Sequence, residues 1–283
     1  MYIAIDIGGT NVRIGLLDAT QKKNQLVDLF SFDNTQDFET GIETIIQNTK
    51  AFLKKHAVQT LSGIGVGMPG VVNVAASTTV SQNLPTWSGK SIRPYFTKAF
   101  HVPFQLENDA VVAAIGEAVY GAGKSDQKFV YIIWGTGIGG TKIERLNGKM
   151  HITPFEPCNM IIQFHGRLCA CGQRGCLEAY IGGRSIEKIY GKHPSEIHDG
   201  KIWEEIATHA TQGIINITAL HLTKHIIFGG GFINKQSHLL KRIEKNLKIE
   251  MKAGFTIPTL SLSSLGENGA LYGGMGMFMI DYI

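Results

Sequence analysis

Two short glycine-rich segments of this chain have the residue types needed to bind a phosphate group. Ile7-Gly8-Gly9-Thr10 recurs as Ile138-Gly139-Gly140-Thr141, each time between two apolar stretches. Glycine lets the backbone approach a phosphate closely, so that successive N–H groups can donate to it. Asp6 precedes the first segment and offers a carboxylate for Mg²⁺, bound directly or through water. Either segment alone could be an ordinary tight hairpin, but the repetition in one context favours a nucleotide site.

Asn108 and Asp109 form a polar pair at the start of a predicted helix. An alcohol is a poor nucleophile at neutral pH, so a reaction at a hydroxyl needs a base nearby, and Asp109 can serve as that base. Asn108 can donate to and accept from neighbouring hydroxyls of a substrate. Asn and Asp are also favoured helix caps, so this segment by itself fits a plain N-cap better.

Cys169, Cys171 and Cys176 place three thiols within eight positions. This spacing suits one Zn²⁺, although a structural zinc site normally has four ligands. Three buried thiols that pack without a metal are the alternative.

The elements that must position these residues follow from the apolar patterning. The first half predicts strands at 2–7, 12–17, 64–68 and 104–106, with helices over 38–53 (capped by Asp37) and 110–119. The second half predicts a strand at 129–134, a glycine turn at 135–140, a return at 141–143, helices over 202–222 and 236–249 around a strand at 226–228, and a last helix over 267–280.

The repeated strand–turn–strand unit predicts a duplicated α/β fold whose two lobes flank a ligand cleft. We expect a small N-terminal lobe of residues 1–110 with a C-terminal helix at about 268–283. A larger lobe of residues 111–267 is expected to carry the cysteines.

The composition describes a globular chain with no preference for nucleic acid or membrane. Of 283 residues, 43% are hydrophobic and 18% are charged, which is enough to build a normal core. The formal net charge of +4 favours an anionic ligand such as a nucleotide, but it is too small, and too scattered, for nucleic acid. No apolar stretch approaches the ~20 residues that span a bilayer, and no signal peptide opens the sequence. We therefore expect a cytoplasmic protein.

Several motifs, in chain order, resemble those of the ROK family (repressors, open reading frames and sugar kinases). They are Asp6-Ile7-Gly8-Gly9-Thr10, Glu107-Asn108-Asp109, Gly135-Thr136-Gly137-Ile138-Gly139-Gly140, Cys169-x-Cys171-Gly172-x-x-Gly175-Cys176-Leu177-Glu178, and the adenosine-side turn Gly229-Gly230-Gly231. The resemblance implies the actin/hexokinase-like (ribonuclease H-like) α/β fold. The family's repressors carry a helix-turn-helix ahead of the first glycine turn, and this sequence has no such segment there, so we expect the kinase branch.

The resemblance also assigns roles to residues. It implies that Asp109 is the general base and that Asn83, Asn108, Asp109, Glu156 and Glu178 bind the sugar. From the residues alone, Asn83 also fits a turn before a proline, and Glu178 fits an exposed acid at a helix start. ATP and its phosphates are expected to contact Asp6, Gly8, Gly9, Thr10, Asn11, Gly135, Thr136, Gly137, Gly229, Gly230 and Gly231.

The sequence departs from the family pattern at Asn159. The family has at this position a His that binds zinc and helps to bind the sugar, within a Gly-Glu-x-Gly-His stretch of which only Glu156 survives here. A neutral amide oxygen is a weaker Zn²⁺ ligand than an imidazole nitrogen. Cys158 or His165 could complete the site, or the site could be empty; we expect a structural Zn²⁺.

Together these features predict an ATP-dependent and Mg²⁺-assisted kinase that phosphorylates a hydroxyl of a hexose or hexosamine. Glucose-type sugars are the default substrate, and relatives also use allose, fructose and N-acetylmannosamine; the resemblance further implies a homodimer. A sugar-sensing ROK protein with weakened catalysis is the first alternative, supported by the altered segment 155–159. An actin-like ATPase is the second, and the sugar-side residues Asn83, Glu156 and Glu178 argue against it.

Overall fold

The computed structural model describes residues 1–22, 25–81, 83–252, 254 and 256–283, which form two compact units. One unit contains residues 1–120 and 268–280, and the other contains residues 121–267 and 281–283. The strands are β1 (Tyr2–Ile7), β2 (Asn11–Leu17), β3 (Leu26–Asp33), β4 (Gly63–Met68), β5 (Val71–Asn73), β6 (Thr78–Val80), β7 (Phe104–Asn108), β8 (Lys128–Trp134), β9 (Ile138–Leu146), β10 (Lys149–Phe155), β11 (His225–Gly229) and β12 (Thr259–Leu262). The helices are α1 (Phe38–Lys55), α2 (Arg93–Phe100), α3 (Asp109–Tyr120), α4 (Glu178–Ile181), α5 (Gly183–Tyr190), α6 (Gly200–His221), α7 (Gly231–Lys235), α8 (His238–Glu250) and α9 (Gly269–Gly276).

The first unit is built on a five-stranded sheet with the order β3-β2-β1-β4-β7. β1, β2 and β3 are antiparallel neighbours, whereas β4 and β7 continue the sheet in parallel with β1. The buried face of α1, which includes Ile42 and Ile45, packs against this sheet because its apolar residues recur at helical spacing. Asp37 caps α1 as predicted, since its carboxylate accepts from the Thr40 N–H at 2.9 Å.

The second unit repeats this arrangement, with the order β10-β9-β8-β11-β12 and the same strand directions. The helices α6 and α8 bury apolar residues against one face of this sheet, among them Ile206 and Ile243. Two sheets of identical topology confirm the predicted duplication of one α/β unit. None of the helices in the described part of the chain is long and apolar enough to cross a membrane.

The glycine-rich helix α9 packs directly on α3 and on the first sheet. A Cβ on Gly273 would collide with the Val112 carbonyl oxygen, and a Cβ on Gly65 would collide with that of Gly274. The close packing of α9 on α3 groups all of α3 with the first unit, whereas the predicted lobe boundary after residue 110 divides that helix.

The last residues of the chain pair with a strand of the second unit. The helix α9 ends at Gly276, earlier than the predicted 280. Met150 then donates its N–H to the Asp281 carbonyl at 3.0 Å, and Ile283 donates to the Met150 carbonyl at 3.1 Å. Residues 281–283 therefore pair with β10 and do not continue the last helix.

Candidate functional site

The turn between β1 and β2 has its carbonyl oxygens held by neighbouring side chains. Gly8 donates its N–H to the Asn11 carbonyl at 2.8 Å, which closes the turn. The Asn34 amide donates to the Gly8 carbonyl at 2.7 Å, and the Gln36 amide donates to the Gly9 carbonyl at 2.9 Å. These bonds fix the peptide planes of the turn with their carbonyls toward the protein. The geometry suits a turn whose N–H groups bind an anion.

Asp6 lies at the end of β1, directly across from Arg13 of β2. Burial raises the pKa of Asp6, and the Arg13 guanidinium opposes that shift. A half-buried carboxylate of this kind is stabilised by a cation, so the residue fits the predicted Mg²⁺ site.

A second carboxyl lies in the same row of the first sheet. Asp6 pairs with Gly67, and Gly67 pairs with Glu107 on the next strand. A Cβ on Gly67 would lie 3.6 Å from the Cα of Asp109, so the start of α3 lies over this row, and two strand spacings put the two acids roughly 10 Å apart. Burial raises the pKa of Glu107, opposed by its bond from the Asn108 N–H at 3.2 Å. No role was expected for Glu107 from the sequence.

The structure shows which of Asn108 and Asp109 caps α3. The Asn108 side-chain oxygen accepts from the N–H groups of Ala110 and Val111, at 2.9 and 3.3 Å. Its amide nitrogen donates to the Gly70 carbonyl at 2.8 Å. Asn108 is therefore the residue that caps α3, while Asp109 is the first residue of that helix and accepts from Ala110 at 2.8 Å.

Asn83 lies beside the first glycine turn. A Cβ on Gly9 would lie 2.8 Å from the Asn83 carbonyl oxygen, so only glycine lets the two segments approach this closely. The Gln36 amide, which holds the turn, also reaches the Asn83 carbonyl at 3.4 Å. The exposed Asn83 side chain is thus carried next to the turn, as a ligand-binding role requires.

In the second unit, Glu178 is attached to the glycine turn that precedes β9. Its carboxylate accepts from the Ile138 N–H at 3.1 Å. A Cβ on Gly137 would lie 2.7 Å from the same carboxylate, which explains the glycine at that position. Burial raises the pKa of Glu178; the Ile138 bond and the Arg184 guanidinium oppose the shift, and the charge of Glu156 adds to it.

Glu156 and Cys158 lie close enough to Glu178 to interact with its charge. The Cys158 thiol donates to the Glu156 carboxylate at 3.3 Å. Burial, followed by the Glu156 charge, raises the pKa of the Cys158 thiol. The structure therefore brings together two of the predicted sugar-binding acids, Glu156 and Glu178, with Cys158 beside one of them.

A cavity of about 350 Å³ within the second unit joins two of the predicted nucleotide turns. Gly135 and Thr136 line one part of it, and Gly231 lines another. The N–H groups of Gly183 and Arg184 donate to the Gly135 and Thr136 carbonyls, at 3.1 and 3.0 Å, and so attach α5 to the first of these turns. The remaining lining residues are Gly183, Arg184, Glu187, His193, Pro194, Ser195, Phe232, Lys235 and Gln236.

The turn that follows β11 depends on its glycines. Gly230 has φ +104°, and a Cβ there would lie 2.6 Å from the Trp134 carbonyl oxygen. A Cβ on Gly229 would collide with the Tyr131 hydroxyl. A larger residue at either position would push this turn away from β8.

The three clustered thiols form one group of possible metal ligands. The sulfurs of Cys169, Cys171 and Cys176 lie within 4.8 Å of one another. Among the His, Cys, Asp and Glu residues that the structure describes, no fourth one joins this group. The predicted fourth ligands Cys158 and His165 are therefore not placed with the three thiols.

Comparison with known proteins identifies the family. The ROK family model matches residues 2–280. The chain belongs to the ROK family. An N-acetyl-D-glucosamine kinase from Yersinia enterocolitica is 24% identical over 302 residues, covering 96% of this chain and 97% of the relative. A fructokinase from Streptococcus mutans is 26% identical over 291 residues, covering 95% and 94%.

A solved ROK structure has the same fold. It is a ROK family glucokinase from Streptomyces griseus in complex with glucose and AMPPNP, which superposes with a TM-score of 0.77 at 22% identity over 98% of each chain. The actin/hexokinase-like α/β fold expected from the motifs is thereby confirmed for this ROK chain.

The cavity of this ROK protein contains residues to which the sequence had given no role. Arg184 and Lys235 supply positive charge there, and Gln236 and Ser195 supply polar groups. Arg184 directly follows Gly182-Gly183, and Lys235 follows the Gly229–Gly231 turn by one helical turn. A basic residue just after a glycine pair is the one local signal that could have indicated them.

Proposed function

We propose that this ROK protein is an ATP-dependent kinase that phosphorylates a hydroxyl group of a hexose or hexosamine. The observation that carries the proposal is the cavity lined by Gly135, Thr136 and Gly231, adjoined by a turn that also holds the Glu178 carboxylate. The named activities of the relatives, on N-acetyl-D-glucosamine and on fructose, support the same class of acceptor.

ATP binds in the second unit in this proposal. The cavity of about 350 Å³ accepts the nucleoside beside Gly231, and the phosphates lie along Gly135–Gly137. The positive charges of Arg184 and Lys235 attract the phosphates. Asp6 would hold Mg²⁺, which neutralises charge on the transferred phosphoryl group.

Asp109 takes the proton of the attacking hydroxyl. The sugar oxygen then bonds to the γ-phosphorus as the bond to the β–γ bridging oxygen breaks, and ADP leaves. Such a base contributes about 10²–10⁴-fold to kcat. Asn108 positions Asp109 by fixing the first turn of α3, and its amide retains a second N–H for a sugar hydroxyl.

The sugar is recognised by acids and amides in this proposal. Glu156 and Glu178 are acceptors for sugar hydroxyls, and Asn83 offers an amide. Because Glu178 also accepts from the Ile138 N–H, its carboxylate keeps a fixed orientation. An ionised acceptor makes stronger hydrogen bonds to hydroxyls than a neutral one.

The test is ADP release from ATP with Mg²⁺ and a panel of sugars, against a control without sugar. The panel contains glucose, fructose, allose, N-acetyl-D-glucosamine and N-acetylmannosamine. We expect release that depends on one or a few of these sugars. Release that no sugar alters would indicate an ATPase, and tight sugar binding without release would indicate a sensor.

Asp109→Asn tests the base. The substitution should lower kcat by about 10²–10⁴-fold and leave the start of α3 unchanged, because the amide oxygen can still accept from Ala110. Turnover close to that of the unaltered protein would disprove the assignment.

A further inference from the structure

The Cys169, Cys171 and Cys176 thiols have the spacing of ligands around one metal ion. The sulfurs of Cys171 and Cys176 are 3.6 Å apart, and all three lie within 4.8 Å of one another. With metal–sulfur bonds of about 2.3 Å, two ligands of a tetrahedral zinc ion are roughly 3.8 Å apart. The three thiols therefore fit three corners of a tetrahedron.

The backbone holds the loop of these cysteines in place. Gly172 and Gly175 both have positive φ, at +88° and +84°, which turns the chain back on itself twice. The Cys169 N–H donates to the Gln173 carbonyl at 2.8 Å, and the Gly175 N–H donates to the Arg167 carbonyl at 2.8 Å. The thiols are thus brought together by hydrogen bonds of the loop itself.

The fourth corner has no strong ligand from the described part of this chain. Among the His, Cys, Asp and Glu side chains of those residues, only the three thiols belong to the group. Cys158 instead donates its thiol to Glu156. Gln173 has its side-chain oxygen 3.8 Å from the Cys176 sulfur, but a neutral amide oxygen binds soft cations weakly. The residues do not fit a closed, four-ligand zinc site.

The site is open to solution on one side. Cys169 and Cys176 are buried, with 5% and 0% of their surface exposed, whereas Cys171 is exposed. A small molecule can therefore reach a metal ion bound at Cys171.

We propose that Cys169, Cys171 and Cys176 form an open three-thiolate metal site. It binds one soft divalent ion, such as Zn²⁺, and leaves the fourth coordination position to an exchangeable ligand from solution, such as an imidazole or a small thiol. Each thiol releases its proton on binding the metal. The proposal does not depend on the sugar-kinase function.

Cobalt substitution tests the site in the full chain, purified without a polyhistidine tag and kept reduced with a non-thiol reductant. Co²⁺ replaces Zn²⁺ in such sites and absorbs visible light according to its ligands. We expect one Co²⁺ per chain, a sulfur-to-cobalt charge-transfer band, and a saturable change of the visible bands on titration with imidazole. Absence of stoichiometric Co²⁺, or a spectrum that imidazole leaves unchanged, would overturn the proposal.

Three variants separate the ligands. Cys171→Ser should weaken the charge-transfer band by about a third, because two thiolates remain of three. Cys158→Ser and His165→Gly should give the spectrum of the unaltered protein; glycine is chosen at 165 because φ there is +59°. If either of these two variants loses or shifts the cobalt bands, that residue closes the site and the open position is disproved. Should Cys158→Ser fail to fold, the imidazole titration and His165→Gly still decide the question.

Discussion

Arg184 offers a sharp test of the proposed ATP site, because it contributes a charge to the cavity and little to the fold. Its side chain is exposed and lines the cavity with Gly135 and Thr136. Within the described ranges its guanidinium makes no hydrogen bond or ion pair with the protein, and its backbone N–H donates to Thr136. A substitution therefore removes the charge and keeps the backbone contact.

The expected effect of Arg184→Ala is on the affinity for ATP. A hydrogen bond between charged groups contributes about 1.5–3 kcal/mol, and exposure of Arg184 favours the lower end. A loss of about 1.5 kcal/mol corresponds to roughly a tenfold increase in the KM for ATP. The KM for ATP of Arg184→Lys should lie between those of the unaltered protein and Arg184→Ala, because lysine keeps the charge but lacks the planar set of donors of the guanidinium.

Steady-state kinetics with ATP varied at saturating sugar, and the reverse, gives the two KM values. The Arg184 charge also opposes the rise in the pKa of Glu178, so the KM values are measured over a range of pH and compared where they no longer change with pH. Lys188→Ala is the matched control, since Lys188 lies on the same helix and outside the cavity lining. A KM for ATP that is unchanged in Arg184→Ala, or raised equally in Lys188→Ala, would refute the phosphate-binding role.

Two further predictions concern sugar binding and stability. Burial raises the pKa of Glu178 above its usual 4.5, so the carboxylate is lost on acidification earlier than in an ordinary Glu. The Kd for the sugar should therefore rise as the pH falls through that raised pKa. Calorimetry should show that the Kd of Glu178→Gln depends less on pH. If this variant has the same dependence of Kd on pH as the unaltered protein, Glu178 is excluded as a sugar ligand. Gly273→Ala should lower the free energy of unfolding by about 1–3 kcal/mol because its Cβ meets the Val112 carbonyl. Gly200→Ala, with open space around it, should be neutral or slightly stabilising in thermal unfolding, and equal Tm losses in the two variants would contradict the packing argument.

The sequence predicted the parts of the fold whose signal is local. The first glycine turn and the strands on either side of it were predicted within a residue of their observed bounds, because a buried apolar run interrupted by glycines has few alternatives. The duplication was predicted correctly, but the four-residue repeat is not in equivalent positions of the two sheets. Gly8–Thr10 forms the turn between β1 and β2, whereas Gly139–Thr141 pairs with β8 inside β9, so the predicted turn at 135–140 is confined to 135–137 and the return strand begins at Ile138. The strands β3 and β10 were not predicted; both are edge strands with mixed burial, and their patterns lack the continuous apolar run of β1 or β4.

The lining of the cavity could not be predicted from local patterns. It combines residues at 135–136, 183–187, 193–195 and 231–236, which lie up to about a hundred positions apart in the chain. Only the fold shows that these segments share one space. Arg184 and Lys235 look like ordinary exposed basic residues of short helices until the cavity is known.

The glycines of α9 show why propensity alone misjudges a packed helix. Glycine in a helix interior costs about 1 kcal/mol relative to alanine, which argues against a helix here. In the structure, however, Gly273 and Gly274 allow backbone contact with α3 and β4 that any side chain would block. Close packing along these contacts offsets the propensity, and information about the neighbour is needed to recognise this.

The structure shows which of Asn108 and Asp109 caps α3, whereas the sequence of the dipeptide does not. Either residue could cap a helix, so the sequence alone could not show whether Asp109 is needed as the cap. In the structure the Asn108 oxygen accepts from both Ala110 and Val111, and this satisfies the cap. Asp109 is then not required as the capping residue of α3, which is compatible with the proposed role of its carboxylate as a base. Asp109→Asn keeps the shape of the side chain and the bond from Ala110 but removes the negative charge and the ability to take a proton, so a large loss of kcat with an unchanged Tm would point to the base.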